Sequence, residues 1–442
     1  MIGSPNAAVF PVPVLAFAIK FVSPVKRRGI AKTWIGDGIS KPFFSTACNA
    51  YSSSPKSLKV TMSDSSLFSI YLIEYKRIFL LFQVSHFLEK SNCAIVISMS
   101  EILHFESDYM EGAHPAILER LQQINLEKNT GYGLDKYCKL AEEKIKAACN
   151  APDAIVKFLV GGTQTNTTII SAVLRSWQGV ISVKTGHIAL HEAGAIEATG
   201  HKVITLDEHD GKMSSDDLHD YLQTFFDDEN ASHMVEPGLV YISHPTEYGT
   251  LYSKTELENL HAVCKKFNIP LMLDGARLGY GLAAKNTDVT LPVIAQNCDV
   301  FYIGGTKVGA LFGEAVVVSN PNLVPHFFTV IKQHGALLAK GWLLGLQFDT
   351  LFTDDLYFKI AQNAVENALF LKDELVKKGY KLYIDSFTNQ QFFIVENERL
   401  KELEKKIGYS FWEKYDENHT IIRLATSWAT TKESVCKLIE LM

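Results

Sequence analysis

A single lysine, Lys307, lies in a glycine-rich and largely apolar stretch, YIGGTKVGALFGEA, which covers residues 302–315. Removing an unpaired ammonium from water costs free energy, so a lysine in such surroundings either extends to solvent or is used for its amine. In a pocket of low dielectric the pKa of a lysine falls, and the neutral amine is a nucleophile. Lys307 is therefore a candidate for covalent chemistry.

Two more groups stand at the ends of predicted strands. Gly161, Gly162 and Thr163 separate the apolar run AIVKFLV from a helical pattern, and free backbone N–H groups at the start of a helix bind phosphate. Asp274 ends the apolar run PLMLD and could face a cationic ligand atom. Each group also has a plain structural interpretation, since glycines form tight turns and an acid at a strand end often caps the next turn.

His187 and His191 lie four residues apart in TGHIALHEAGA, a spacing that places two side chains on one face of a helix. Two zinc-binding histidines would suit that spacing. In the zinc motif HExxH, however, the glutamate follows the first histidine, whereas Glu192 follows the second. Solvated or packed histidines explain the pattern equally well. The seven cysteines contain no CxxC pair, so no metal site is expected.

The phosphate turn, the acid and the lysine together fit one cofactor. Pyridoxal phosphate requires a phosphate cradle, a carboxylate on its ring nitrogen and a lysine for its aldehyde. Lys307 follows Asp274 by 33 residues, one strand later in the predicted order. We therefore predict that the protein binds pyridoxal 5'-phosphate, with Gly162 and Thr163 at the phosphate.

The order of these residues resembles the threonine aldolase and β-eliminating lyase family of fold-type-I pyridoxal-phosphate enzymes. The stretches DGARL and HIALHEAGA carry the resemblance, which covers about residues 103–442 and does not extend to residues 1–98. It implies that Lys307 forms the Schiff base with the cofactor, that Asp274 holds the ring nitrogen, and that His187 stacks on the ring face.

The resemblance also implies four substrate-binding residues. Ser107 lies in ESDYMEGAHP, which is similar to an N-terminal element of the family, and Tyr132 lies in the matching element NTGYGLD. Arg277 in DGARL and Arg423 in TIIRLAT would grip the substrate carboxylate through charge-assisted hydrogen bonds.

The chain departs from the family pattern at two places. In SHPTEYGTLYS, Glu247 stands where the family often has a histidine that handles the β-hydroxyl of the substrate, and His244 comes three residues earlier. The family's phosphate-side arginine is missing from KQHGALLAKGW, where Lys332 and Lys340 are candidates to replace it. The first departure bears on threonine cleavage and not on cofactor use.

The expected activity is that of a pyridoxal-phosphate-dependent carbon–carbon lyase of amino acid metabolism. It would cleave a threonine-like β-hydroxy amino acid to glycine and an aldehyde, with Glu247, His187 or a water as the base. The alternatives are β-elimination or transamination with the same cofactor, and a non-enzymatic relic of the fold. The retained Lys307 and Asp274 argue against a relic, since an unused buried lysine would lower stability.

Strand and helix patterns alternate from about residue 110 to residue 330, which predicts an α/β fold with a mostly parallel sheet covered on both faces. The resemblance implies seven strands. A smaller α+β domain follows, so we predict an N-terminal extension over residues 1–98, an N-terminal arm and large cofactor-binding domain over residues 99–330, and a small domain over residues 331–442.

Composition limits the partners of the chain. Residues 1–98 carry a net charge of about +7 and the remainder about −13, and an acidic body argues against a nucleic-acid surface. No stretch is long and apolar enough to span a bilayer. An odd number of cysteines without a CxxC pair indicates reduced thiols, which favours a cytoplasmic location of the protein. The basic, serine-rich residues 1–98 could target an organelle, or they are a non-functional extension ahead of a start at Met99. The resemblance implies a homodimer or homotetramer with shared active sites.

Overall fold

A computed structural model describes residues 102–442 and, before them, the backbone of two strands, β1 (Lys56–Thr61) and β2 (Leu67–Leu72). These two strands pair antiparallel, with Lys56 opposite Leu72. The rest of the predicted N-terminal extension lies outside the described residues. Residues 1–101 and residues 102–442 form two separate units, and the account below concerns the second.

The second unit is built around a seven-stranded sheet in the order β4-β10-β9-β8-β7-β5-β6. Six of the strands run parallel to one another, and β10 runs antiparallel to both of its neighbours. The predicted mostly parallel sheet is therefore confirmed. The strands are β4 (Ile155–Leu159), β5 (Gln178–Val183), β6 (Val203–Leu206), β7 (Glu236–Ser243), β8 (Leu271–Asp274), β9 (Val300–Gly304) and β10 (Glu314–Val318).

Helices cover both faces of this sheet. Along β7, Val240 and Ile242 belong to one buried apolar cluster and Leu239 and Tyr241 to another, because successive side chains of a strand point to opposite faces. The central strands β8, β9 and β10 are buried at every residue, which explains their continuous apolar runs.

The helices of residues 115–351 connect the strands and pack on the two faces of the seven-stranded sheet. The helix over Lys254–Lys266 begins with a capping box, in which Ser253 and Glu256 each bond the backbone of the other. The helices are α1 (Pro115–Ile124), α2 (Lys136–Ala148), α3 (Gly162–Val173), α4 (His187–Leu190), α5 (Ala195–Ala198), α6 (Ser215–Asp227), α7 (Lys254–Lys266), α8 (Leu278–Leu282), α9 (Leu291–Asn297), α10 (Phe327–Gln333) and α11 (Trp342–Leu351).

A smaller antiparallel sheet, in the order β11-β12-β15-β14, follows the long helix α12 (Leu356–Lys377). A short N-terminal strand, β3 (Leu103–His104), pairs parallel with β13 (Ile407–Gly408), and Phe105 is buried in the apolar core of this small domain. The remaining elements are β11 (Lys381–Ile384), β12 (Gln390–Glu396), α13 (Asn397–Leu403), β14 (Ser410–Lys414), β15 (His419–Ala425) and α14 (Lys432–Leu441).

No helix in the described part of the chain combines the length and the hydrophobicity that crossing a membrane requires.

Candidate active site

A cavity of about 300 Å³ opens where the parallel strands end at their carboxyl termini, the edge at which open α/β sheets bind ligands. Most of the predicted site residues line it together: Gly162, Thr163, His187, Asp274, Arg277 and Lys307. Residues that the sequence did not single out as site residues complete the wall, among them Tyr109, Glu192, Ser243, Tyr302, Thr306 and Glu314.

Lys307 lies in the loop between β9 and β10. The loop is held at both ends, because the backbone N–H groups of Gly305 and Thr306 donate to the Gly313 carbonyl at 3.0 and 3.2 Å, and Gly313 N–H donates to Thr306 Oγ1 at 3.0 Å. Within the described residues the Lys307 ammonium makes no ion pair, and it lies 5.9 Å from the centroid of the Tyr109 ring. Burial and the charge of nearby Arg277 lower the pKa of Lys307 to about 8.

Asp274 ends β8 with both carboxylate oxygens hydrogen-bonded. Oδ2 accepts from the Tyr241 hydroxyl at 2.5 Å and from Asn166 Nδ2 at 3.2 Å, and Oδ1 accepts from Ala276 N–H at 3.0 Å. Burial alone would raise the pKa of Asp274. The electrostatic interaction with His187 and the hydrogen bonds outweigh burial and hold this pKa below its ordinary value. Asp274 is therefore a buried carboxylate that remains ionised at neutral pH.

His187 begins α4 and is oriented through its ring and its backbone. Nδ1 of His187 lies 2.9 Å from Glu192 Oε1, and His187 N–H donates to Glu247 Oε1 at 2.9 Å. Asn166 donates to Glu192 at 2.7 Å as well as to Asp274, so the imidazole and the carboxylate share one connecting amide. Asn166 on α3 was missed from sequence, because an asparagine inside a helical run carries no local signal of function.

His191 is the neighbour of His187 at the end of the same short helix. The centroids of the two rings are 5.7 Å apart. Among residues 102–442 no three histidine, cysteine or carboxylate side chains gather in a way that could hold a metal ion.

The turn after β4 presents open backbone to the cavity. Gly161 precedes α3 and offers no side-chain cap, so the first N–H groups of this twelve-residue helix lack a side-chain partner there. A Cβ atom on Gly161 would meet nothing within 4 Å, whereas one on Gly162 would lie 3.3 Å from the Tyr302 hydroxyl. The geometry suits an anion at the helix start.

The two arginines differ in their surroundings. Arg277 forms a two-pronged ion pair with Asp108, from Nε to Oδ2 at 2.7 Å and from Nη2 to Oδ1 at 3.0 Å. Arg423, on β15, donates to Gln390 Oε1 at 2.9 Å and to the Glu106 carbonyl at 3.1 Å, and it does not line the cavity. Asp108 was also missed from sequence, since its partner is distant along the chain.

Ser107 and Tyr132 do not line the cavity of this chain. The Ser107 hydroxyl is buried and has no hydrogen-bond partner among the described residues. Tyr132 is 44% exposed, and the Lys332 ammonium lies 4.9 Å from its ring centroid. Lys332 and Lys340 are both exposed, so neither occupies the position of a phosphate ligand within one chain. The predicted roles of Ser107 and Tyr132 remain predictions.

Glu247 lines the cavity, whereas His244 does not. Glu247 Oε1 accepts from Ser243 Oγ at 2.7 Å in addition to His187 N–H, and burial raises the pKa of this carboxyl. His244 is fully buried, where Tyr252 N–H donates to its Nδ1 at 3.4 Å, and burial lowers its pKa to about 4. Of the two, only Glu247 can meet a ligand.

Glu314, the first residue of β10, adds a second buried acid to the cavity wall. Thr306 Oγ1 donates to Glu314 Oε1 at 2.9 Å, and burial raises the pKa of Glu314 to about 8.

The chemical properties of the groups that line the cavity match those that pyridoxal phosphate requires. The open turn at Gly161 and Gly162 can receive a phosphate, and ionised Asp274 can pair with a protonated ring nitrogen. The pKa of Lys307 is lowered, and its side-chain nitrogen has no ion-pair partner in the described part of the chain. Both properties favour the neutral amine, which is the form that bonds an aldehyde.

Comparisons with known proteins agree with this chemistry. Residues 104–393 match the family model of the beta-eliminating lyases. A low specificity L-threonine aldolase of Pseudomonas aeruginosa is 28% identical over 338 residues, which are 76% of this chain and 95% of that protein. A solved structure of Leishmania major threonine aldolase is 43% identical with a TM-score of 0.74, covering 76% of this chain and 98% of that one.

A more distant structural neighbour shows the fold alone. An aspartate aminotransferase of Thermus thermophilus is 13% identical with a TM-score of 0.59 and covers 84% of this chain and 96% of that one. The architecture is therefore that of the fold-type-I enzymes, as expected from sequence. The family match and the two aldolase relatives are more specific. The chain therefore belongs to the beta-eliminating lyase family, in which it is a pyridoxal-phosphate-dependent lyase of the threonine aldolase type.

Proposed function

We propose that this protein cleaves a β-hydroxy amino acid of the threonine type into glycine and an aldehyde by breaking the bond between Cα and Cβ. The observation that carries the proposal is the convergence of Lys307, Asp274 and Arg277 on one cavity. A nucleophilic amine, an ionised acid and a carboxylate-binding cation are what such a site requires. Relatives named threonine aldolase match over nearly their whole length, which supports the same activity here.

Five residues would hold the cofactor. The N–H groups at Gly162 and Thr163 would bind its phosphate, Asp274 its ring nitrogen, Lys307 its aldehyde and His187 the face of its ring. When bound, pyridoxal phosphate supplies an electron sink that stabilises negative charge at the Cα atom of an amino acid.

The remaining chemistry belongs to the chain itself. Asp274, whose ionised form is favoured by its hydrogen bonds, would keep the ring nitrogen of the bound cofactor protonated. Arg277 binds the substrate carboxylate through a charge-assisted pair, with Arg423 as the second cation of that region. Binding the carboxylate restricts rotation about the bond between Cα and nitrogen, so it selects which Cα bond stands in the orientation that breaks.

Glu247 is the base that we assign to the β-hydroxyl. It lines the cavity, its Oε1 is held by Ser243 and His187 N–H, and a carboxylate of raised pKa is a better proton acceptor. Replacing Glu247 by Gln keeps the volume and removes the base. We expect cleavage of threonine to slow by about 100-fold, while exchange of the Cα hydrogens of glycine, which needs no hydroxyl base, is retained.

Elimination is the second function that the family description supports. The two reactions give different products from the same substrate, because retro-aldol cleavage of threonine yields glycine and acetaldehyde and elimination yields a 2-oxo acid and ammonia. Incubating the purified protein with a panel of β-hydroxy amino acids and assaying all four products decides between them. Glycine without aldehyde, or 2-oxo acid as the main product, would refute the aldolase assignment. The Lys307→Ala variant, which lacks the reactive amine, is the negative control.

A shared active site in a homodimer, or in a tetramer of two such dimers, is also part of the proposal. Tyr132 and Lys332 form an exposed pair, and Tyr132 N–H donates to the Ala339 carbonyl, next to exposed Lys340. Tyr132, expected to bind substrate, and Lys332 and Lys340, candidates to bind the phosphate, therefore lie at the surface of one chain. In a symmetric dimer they would reach the cavity of the partner subunit. The free, mostly buried cysteines of the described residues support a cytoplasmic location.

A further inference from the structure

We propose that Asp108 is a positioning residue, which sets the orientation in which Arg277 meets the carboxylate of the substrate. The inference deepens the proposed function and rests on it for the identity of the substrate. It concerns a residue that touches neither cofactor nor reacting atoms and acts through the arginine.

The geometry of the ion pair leaves a defined part of Arg277 free. A guanidinium has five N–H donors, and Asp108 engages two of them, one on Nε and one on Nη2. The two bonds join different nitrogens of the guanidinium to different oxygens of the carboxylate, and such a two-pronged pair fixes the orientation of the guanidinium. The remaining donors, two on Nη1 and one on Nη2, are left for a second carboxylate, and Arg277 lines the cavity in which one would bind.

Asp108 also accepts a hydrogen bond from a residue of the small domain. It is 0% exposed, and Asn389, just before β12, donates from Nδ2 to Asp108 Oδ2 at 3.0 Å. Asn389 Nδ2 also donates to the Thr426 carbonyl at 2.8 Å. Arg277 follows β8 of the large sheet, so one buried carboxylate joins a substrate-binding arginine to the other domain.

The same N-terminal segment also contacts the second arginine. Arg423 donates from Nη2 to the Glu106 carbonyl, two residues before Asp108. Residues 106–108 therefore hydrogen-bond both arginines, Arg277 through Asp108 and Arg423 through the Glu106 carbonyl.

The charges agree with this role. Arg277 and Arg423 repel one another, and burial together with the charge of Arg277 lowers the pKa of Arg423 to about 10. Asp108 pairs with Arg277 and offsets part of the repulsion between the two arginines, so the three groups together carry one net positive charge, and the free N–H donors of Arg277 face the cavity side of the pair. An arginine pair without Asp108 would keep two charges in a buried place, at a cost in free energy.

Asp108→Asn tests the orientation. An asparagine offers one acceptor oxygen, and its NH₂ group would face an N–H donor of Arg277 or Asn389, so one bond to the guanidinium is lost. The readout is the exchange of the two Cα hydrogens of glycine with D₂O, followed by mass spectrometry. An oriented carboxylate lets one hydrogen exchange much faster than the other, and we expect the ratio of the two rates to fall by about tenfold or more in the variant.

The control is Asp349→Asn. Asp349 is also buried, at 2% exposure, and pairs with Arg120 at 2.5 Å where α11 packs on α1, away from the cavity. This variant should lose stability and keep the wild-type ratio, because it breaks a buried ion pair without touching the site. Both variants are compared only in samples that contain about one cofactor per chain.

Asn389→Ala is the second variant, in case Asp108→Asn does not fold. It removes one support of Asp108 and leaves the ion pair with Arg277, so the ratio should fall in the same direction by a smaller factor, about threefold. A ratio within twofold of wild type in Asp108→Asn, or in Asn389→Ala if that is the only folded variant, overturns the inference. The readout does not depend on aldehyde release. A wild-type protein that exchanges glycine stereoselectively but cleaves no β-hydroxy amino acid would therefore refute only the proposed function.

Discussion

The buried Tyr241 hydroxyl donates a hydrogen bond of 2.5 Å to Oδ2 of Asp274, which lines the cavity. Burial and the neighbouring carboxylate raise the pKa of Tyr241 well above its ordinary value, so the tyrosine stays a donor at any working pH. The bond favours the ionised form of Asp274.

Tyr241→Phe should therefore lower turnover by about tenfold without loss of cofactor, because one hydrogen bond to a charged group is removed. Steady-state kinetics of the loaded enzyme measure it. Tyr252→Phe is the control, since Tyr252 is an equally buried tyrosine whose hydroxyl accepts from Met213 N–H and does not line the cavity. Equal effects of the two substitutions would contradict a role of Tyr241 through Asp274.

Asp274→Asn should have a larger effect. The substitution removes the charge and changes the volume little, so cofactor should still bind while turnover falls by about 100-fold or more. Asp299→Asn serves as the control, because Asp299 is buried at the opposite end of the sheet, where it accepts from Leu271 N–H. An Asp274→Asn enzyme with unchanged turnover would show that the ring nitrogen does not need this acid.

Cofactor loading should depend on pH through Lys307. With a pKa of about 8, the amine is mostly protonated below that pH and mostly neutral above it, and only the neutral form reacts with an aldehyde. Stopped-flow absorbance of the cofactor-free protein mixed with pyridoxal phosphate should show a rate that rises with pH and levels off above about 8. Lys307→Ala should show no such phase, and borohydride reduction with peptide mapping should find the adduct on Lys307.

Glu314→Gln refines that test. A negative charge on Glu314 raises the pKa of Lys307, so its removal should move the loading curve to lower pH. Among the described residues, the other charged or titratable groups that interact electrostatically with Lys307 or Glu314 all stay in place; they are Arg277, Asp108, Asp274, Tyr302 and Tyr357. A curve displaced to higher pH would contradict the sign of the effect.

Removal of residues 1–98 should leave cofactor binding and cleavage unchanged. The family match begins at residue 104, and residues 102–442 form a compact unit. A chain that begins at Met99 would be compared with the full chain by cofactor content and by kcat/KM. An insoluble or inactive product would show that the N-terminal residues are needed for the fold.

The active protein should be at least a dimer. Light scattering of cofactor-loaded and cofactor-free protein over a dilution series should show dissociation at higher concentration in the cofactor-free form, because a ligand that binds only the assembled site stabilises the assembly. Tyr132→Ala should lower activity and leave cofactor-free chains folded. A fully active monomer at working concentration would exclude the shared site.

The cofactor end of the site could be predicted from sequence and the substrate end only in part. Lys307, Asp274 and the Gly162 turn each stand at the end of an apolar run, and parallel strands bring such ends to one edge. Asp108 lies 169 residues from Arg277, and no local pattern announces a pairing over that distance. The antiparallel direction of β10 was equally hidden, since an apolar run carries no sign of its direction.

Strand β5 has a weak signal in the sequence, because QGVISV mixes polar and small residues with only three aliphatic ones. It is buried at nearly every position and pairs with β6 on one side and β7 on the other. These neighbours stabilise it as a strand, although its own residues have little preference for that structure. The parallel pairing of β3 with β13 joins residues about 300 apart, which periodicity cannot reveal.

The loop of Lys307 is tied to Gly313 at both ends, between two strands that are hydrogen-bonded to one another. The mobility of the amine is thereby limited to the torsions of its own side chain, and the backbone does not need to be re-ordered between successive turnovers. Another part of the cavity wall, around Pro245 and Thr246, belongs to a separate turn. Laboratory evolution of new aldehyde acceptors could therefore vary that turn while the reactive nitrogen keeps its place.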